Sequence, residues 1–144
     1  MAERSSQNKL QSLLTQIGSY RELIHVLQQQ ISNLVEARSE LSMTLNFLKN
    51  MRQLKPDTEV LIPVGSGALV PGRLATVEKV LVEIGSGVVV EKSAEEAVQV
   101  IENRIKEVDE TVGRLQKDIA DIQEKIEAIR PEAEQLMKQL ERES

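Results

Sequence analysis

The sequence predicts an α+β protein, mainly α: a long antiparallel two-helix coiled coil with two central β-hairpins. Three observations carry that prediction. Residues 10–48 and residues 98–140 each keep apolar side chains at alternating spacings of three and four, the repeat that supercoils a helix left-handed around a partner. The segment between them is β-rich and contains an internal repeat. The whole chain of 144 residues has one Phe, one Tyr and no Trp, little bulky material for a globular core, while a 28% charged fraction suits a coil that buries area along a line. One unit spanning residues 1–144 is therefore expected, made of a helix over 5–55, a hairpin region over 57–92 and a helix over 93–143.

The first helix is expected to start near Ser5 or Ser6, either of which can cap it. Its seam reads Leu10, Leu13, Ile17, Tyr20, Ile24, Leu27, Ile31, Leu34, Arg38, Leu41, Leu45 and Leu48. It is expected to stop by Lys55, because Pro56 disfavours helical geometry in the residue before it. Some 48 residues at about 1.5 Å each make a rod of about 70 Å. Arg38 is the one charged seam residue; either it reaches Asp109 across the seam and sets register, or it snorkels outward.

Between the helices, Val60-Leu-Ile-Pro-Val-Gly-Ser-Gly-Ala-Leu-Val70 recurs as Val80-Leu-Val-Glu-Ile-Gly-Ser-Gly-Val-Val-Val90. Each copy is an apolar run, a Gly-Ser-Gly breaker and a second apolar run, which reads as a hairpin written twice. Gly65, Gly67, Gly85 and Gly87 are the turn glycines. Pro71-Gly72 marks a further turn, and Pro63 cannot donate to a ladder, which places it at an edge or a bulge. Four short apolar strands find little cover beyond Phe47, Met51, Leu54 and Val100, and open apolar sheets seek partners. Val60, Leu61, Ile62, Val64, Leu69, Val70, Val80, Leu81, Val82, Ile84, Val88, Val89 and Val90 are thus expected to form an oligomer interface.

The second helix begins at Ser93-Ala94-Glu95-Glu96, a capping box in which the Ser93 hydroxyl takes the Glu96 amide and Glu96 reaches back. Its seam runs Val98, Ile101, Ile105, Val108, Val112, Leu115, Ile119, Ile122, Ile126, Ile129, Ala133, Leu136 and Leu140. The two seams match when Leu10 meets Leu136, Ile17 meets Ile129, Ile24 meets Ile122, Ile31 meets Leu115 and Leu45 meets Ile101. That register gathers Met1, Leu10, Leu13, Leu14, Leu136, Met137 and Leu140 at the end away from the hairpins. Leu14 and Met137 lie outside the seam, so this end has more apolar surface than the coil needs. Pro131 in the second helix and Gly18 at the same level in the first weaken the local ladders, and Ala133 opposite Leu13 makes a thin layer, so a splayed, adaptable apolar tip is expected.

Chemistry finds little support. There is no Cys for disulfides or thiolate metal sites, which fits a reducing compartment. His25 is the only histidine, sits off the seam and reads as solvated. The Gly-Ser-Gly pairs lead into strand-like runs and lack a following lysine, so they read as turns and not as phosphate cradles. No nucleophile–base pair is recognisable, and no enzyme activity, cofactor or metal is expected. A net charge of −5 repels phosphate backbones, so nucleic acid is not an expected partner. With no apolar run of about 20 residues and no signal-like start, neither a membrane nor an export route is expected, and a cytoplasmic location is.

The repeat Pro63-Val64-Gly65-Ser66-Gly67 and Glu83-Ile84-Gly85-Ser86-Gly87, with Val90-Glu91-Lys92-Ser93 leading to Glu95-Glu96-Ala97, resembles the prefoldin family over nearly the whole length. The duplicated hairpin resembles its alpha class, since beta-class subunits have one. The resemblance implies a hexamer of two alpha and four beta subunits with alpha–alpha contact, whose hairpins build a β-barrel platform from which coiled coils project. It further implies an ATP-independent chaperone, a holdase that captures non-native polypeptides at the tips, through Leu10, Leu13, Leu14, Leu136, Met137 and Leu140, and delivers them to a group II chaperonin. An archaeal source is the expected one. The alternative is a coiled-coil scaffold or adaptor subunit, or a homo-oligomeric relative without client transfer.

Overall fold

In the computed structural model, residues 2–143 are described. The order is α1 (Ala2–Met51), β1 (Glu59–Gly65), β2 (Ala68–Arg73), β3 (Lys79–Gly85), β4 (Val88–Ser93) and α2 (Ala94–Glu143). The chain divides into two compact units: a terminal unit of residues 1–36 and 109–144, and a central unit of residues 37–108.

The expected seams are the buried and half-buried stripes of both helices, with Arg38 the exception. It is exposed, and its guanidinium reaches Ser42 Oγ one turn along at 3.5 Å. In the terminal unit, Ile17, Ile122, Ile126 and Ala133 are buried together, with Leu10, Leu13, Tyr20, Ile24, Leu27 and Ile129 packed on them. Lys9 pairs with Glu132 at 2.8 Å, and the Lys125 ammonium lies 6.0 Å from the Tyr20 ring centroid. The expected splay at the Gly18–Pro131 level is not found. Helix α2 continues through Pro131, and Ala133 is only 3% exposed. A small residue permits close approach of two backbones, so what reads as a thin layer is a tight one.

In the central unit, Leu48, Met51, Val82, Ala97 and Ile101 form the core, joined by Leu41, Leu45, Val77, Val80, Val98, Val100 and Ile105. Helix α1 ends at Met51, four residues before the expected stop. A tighter turn follows, in which Gln53 N–H donates to Asn50 O at 3.0 Å and Leu54 N–H to Met51 O at 3.1 Å. Asp57 then takes a left-handed φ of 67°, a conformation Asp tolerates better than most residues, and Thr58 Oγ1 donates back to Lys55 O. At the other side, Glu96 N–H donates to Ser93 Oγ at 3.1 Å, so the capping serine does start α2.

The two hairpins are separate two-stranded antiparallel sheets, β1–β2 and β3–β4, and they are geometric copies. In the first, Leu61 faces Pro71 and Pro63 faces Leu69 across the strands; in the second, Leu81 faces Glu91 and Glu83 faces Val89. Each carries a register shift just before its turn. Ser66 (φ 52°) and Gly67 (φ 78°) match Ser86 (φ 51°) and Gly87 (φ 76°). Two central residues at positive φ mark a type I′ turn, whose twist matches that of the strands it joins. The Gly-Ser-Gly segments are therefore turns, as expected.

Candidate functional site

Of the apolar residues that remain exposed once each unit has packed, two groups are ones the sequence pointed to. The first is in the terminal unit. Leu10 and Leu13 are half-buried against the Ile17–Ala133 cluster, Leu136 and Leu140 are half-buried on α2, and Leu14 and Met137 stand 46% and 44% exposed. The extra-seam positions are thus the ones that face solvent. An unbranched thioether and a leucine on long helices make a deformable apolar surface without a shaped cavity. Met1, expected in the same group, lies outside the described residues.

The second group is on the hairpins, where side chains alternate between faces. Here the expected interface set divides. Val82 is a correction: it is 8% exposed and part of the central unit's own core, with Val80 packed against it and Val90 half-buried on the same face. The physical reason is that β3–β4 docks on the helices of its own unit through that face, leaving none of Val82 for a partner. The opposite face is bare. Leu81 is 72% exposed and Val89 is also exposed; Ile84 and Val88, on the alternation of Val82 and Val90 but beside the turn and its register shift, are exposed as well. Docking is reinforced by Arg104 of α2, whose guanidinium donates to Glu83 O at 2.6 Å. Hairpin β1–β2 has no such support: Leu61, Ile62, Val64, Leu69 and Val70 are all exposed, and only Val60 is half-buried. Its base is held by backbone bonds, Asp57 N–H to Leu74 O at 2.8 Å and Leu74 N–H to Thr58 O at 3.0 Å.

Sequence reasoning missed Arg104, whose partner is a backbone carbonyl and carries no residue signature. It also counted Phe47 as cover for the hairpins, whereas Phe47 and Met43 are both exposed on α1. Their spacing of four residues, off the seam, was the available signal. His25 is exposed. Among the described residues no group of three or more His, Cys, Asp or Glu side chains is placed to hold a metal ion, and no helix is long and apolar enough to cross a membrane.

Comparison with known proteins gives this arrangement a context. A family model described as prefoldin subunit matches residues 20–139. The prefoldin subunit alpha of Thermofilum pendens is 34% identical over 103 residues, covering 72% of this chain and 80% of that protein. That of Methanocorpusculum labreanum is 28% identical over 137 residues, covering 95% and 93%. Among solved structures, the filamentous prefoldin from Methanocaldococcus jannaschii, determined by cryo-EM, superposes with a TM-score of 0.74 at 31% identity, over 82% of this chain and 98% of that one.

Proposed function

We propose, because the chain belongs to the prefoldin family, that it is an alpha-type subunit of an ATP-independent chaperone that holds non-native polypeptide at the apolar end of its terminal unit and assembles through its hairpins. The observation that carries the reading is the exposure of Leu14 and Met137 beside the half-buried Leu10, Leu13, Leu136 and Leu140. Unfolded chains present apolar side chains in no fixed arrangement. A binder for them gains from a deformable Leu and Met surface and loses from a shaped pocket. Each such end binds weakly, and several held by one assembly act together with an effective concentration set by their spacing. Release then requires only a competing surface, which the family's use of a group II chaperonin supplies without nucleotide chemistry or any cofactor. The expected partners are beta-class subunits, two alpha to four beta, in a barrel built from exposed hairpin faces, within the cytoplasm. This is a binding function and not an enzymatic one.

The test is suppression of aggregation of a chemically unfolded protein by the assembled chaperone. Trimming about twelve residues from each end removes the apolar group but leaves the hairpins. The expected result is unchanged assembly mass by light scattering and lost protection; retained protection would place client binding elsewhere. A second reading, assembly of this chain on itself without a beta partner, is favoured by the likeness to a filamentous prefoldin. Light scattering of the chain alone, then with candidate beta subunits, separates the two.

A further inference from the structure

Residues that flank a coiled-coil seam face one another across the two helices, and opposite charges there join as ion pairs. In the central unit, Lys49 of α1 and Glu102 of α2 do so at 3.6 Å. The same two heptad positions recur in the terminal unit. Four heptads back along α1 and four forward along α2 they hold Arg21 and Arg130, so here arginine is set against arginine. Both are exposed, and neither is paired with a carboxylate among the described residues. Like charges at facing positions repel and weaken the coil, so this pair works against stability.

Arg21 and Arg130 line a cavity of about 390 Å³ together with Ile24, Gln123, Ile126 and Glu127. Ile126 is buried and Ile24 half-buried, so the lining is apolar beneath and cationic at the mouth. Glu127 pairs with neither arginine. The arginine stems shelter the seam, but that shelter does not require like charges, since Lys49 and Glu102 hold the same positions with opposite ones. One heptad further out on the same two rows stand Leu14 and Met137, the exposed apolar pair. One heptad further in stand Gln28 and Gln123. One side of the terminal unit thus reads apolar, cationic, amide, at steps of about 10 Å.

We infer that the Arg21–Arg130 cavity is a carboxylate subsite for held polypeptide, seating an Asp or Glu side chain of a segment whose apolar side chain lies on Leu14 and Met137. The inference rests on the chaperone reading above and adds a chemical preference to it. Guanidinium groups match a carboxylate in shape as well as charge, and Ile24 and Ile126 meet the methylenes of the acidic side chain. Unfolded chains favour the polyproline II conformation, in which every third side chain returns to the same side after about 9 Å. That length matches the heptad step, so the recognised pattern is an apolar residue three positions from an acidic one. The net charge of −5 repels carboxylates at long range. Salt confines that field to about 8 Å, and within the cavity two guanidiniums outnumber the single carboxylate of Glu127.

The test uses two labelled, unstructured peptides that differ only in Glu or Gln three positions from a leucine. Fluorescence anisotropy with the full-length protein in its assembled form is expected to show the Glu peptide bound about two- to fivefold more tightly at low salt. The preference is expected to vanish in 0.5 M salt, about a 4 Å screening length, and in the double variant Arg21→Gln with Arg130→Gln. That variant should bind the Gln peptide as the unaltered protein does, and should melt no lower, because a like-charge pair has been removed. A melting temperature that falls would assign the arginines to stability and overturn the proposal. Equal binding of the two peptides by the unaltered protein, or a preference that survives in the double variant, also overturns it. Binding of neither peptide overturns it as well. Suppression of aggregation is measured separately, so each of these failures leaves the chaperone reading to its own test.

Discussion

Ser93 joins a strand to a helix, and its hydroxyl accepts one of the amides that the first turn of α2 leaves without a partner. Ser93→Ala is expected to cost about 1 kcal/mol, read as a lower denaturant midpoint at constant slope. Two neighbours on β3 show how alternation sorts buried from exposed positions. Val82 is buried among Leu48, Met51, Ala97 and Ile101, so Val82→Ala is expected to lose about 1–3 kcal/mol of stability. Leu81, one position earlier, lies on the bare face, and Leu81→Ala should change stability by no more than about 0.5 kcal/mol. Chemical denaturation of the two variants side by side checks the contrast. Equal losses would mean that β3 is not docked through Val82.

At the scale of elements, α2 runs through Pro131 at a cost. The ring removes one ladder hydrogen bond and crowds the carbonyl of Glu127. The helix tolerates this where Ile126 and Ala133 are buried on either side, because seam packing offsets the lost bond. Pro131→Ala is expected to raise stability by up to about 3 kcal/mol. Gly18→Ala should add about 1 kcal/mol, since a Cβ at Gly18 meets nothing within 4 Å. Calorimetry of both variants should show raised melting temperatures. If client capture draws on local opening of the terminal unit, these stabilised variants will protect clients less well at the same assembly mass. The hairpins show the reverse economy: identical turns and registers, yet only β3–β4 is docked, because its Val82 face and the Arg104 bond meet the helices.

For the whole molecule, the proposed client surface can be tested apart from assembly. Replacing Leu14 and Met137 together by Gln leaves the seam untouched, and is expected to reduce aggregation suppression severalfold while light scattering reports the same assembly. Equal protection by this double variant would move the client surface away from these two residues.

Much of this was legible in residue order because a heptad seam is local and periodic. Every seam residue except the exposed Arg38 lies on the buried or half-buried stripe that its spacing assigns. The repeated Gly-Ser-Gly units announced their turns, since two successive positive φ values are written into residue type. Other features were not legible. The burial of Val82 and the exposure of Ile62, its counterpart in a matching strand, depend on which copy meets the helices, and two copies of one motif read alike. Arg104 binds a main-chain carbonyl, which every residue possesses. Sequence by itself determined the helices, the paired hairpins and the family, because those follow from periodicity and turn chemistry. Tertiary structure alone decided which hairpin face is spent on the chain's own core and which remains exposed, because docking one face of a two-faced sheet consumes that face and no local signal selects it.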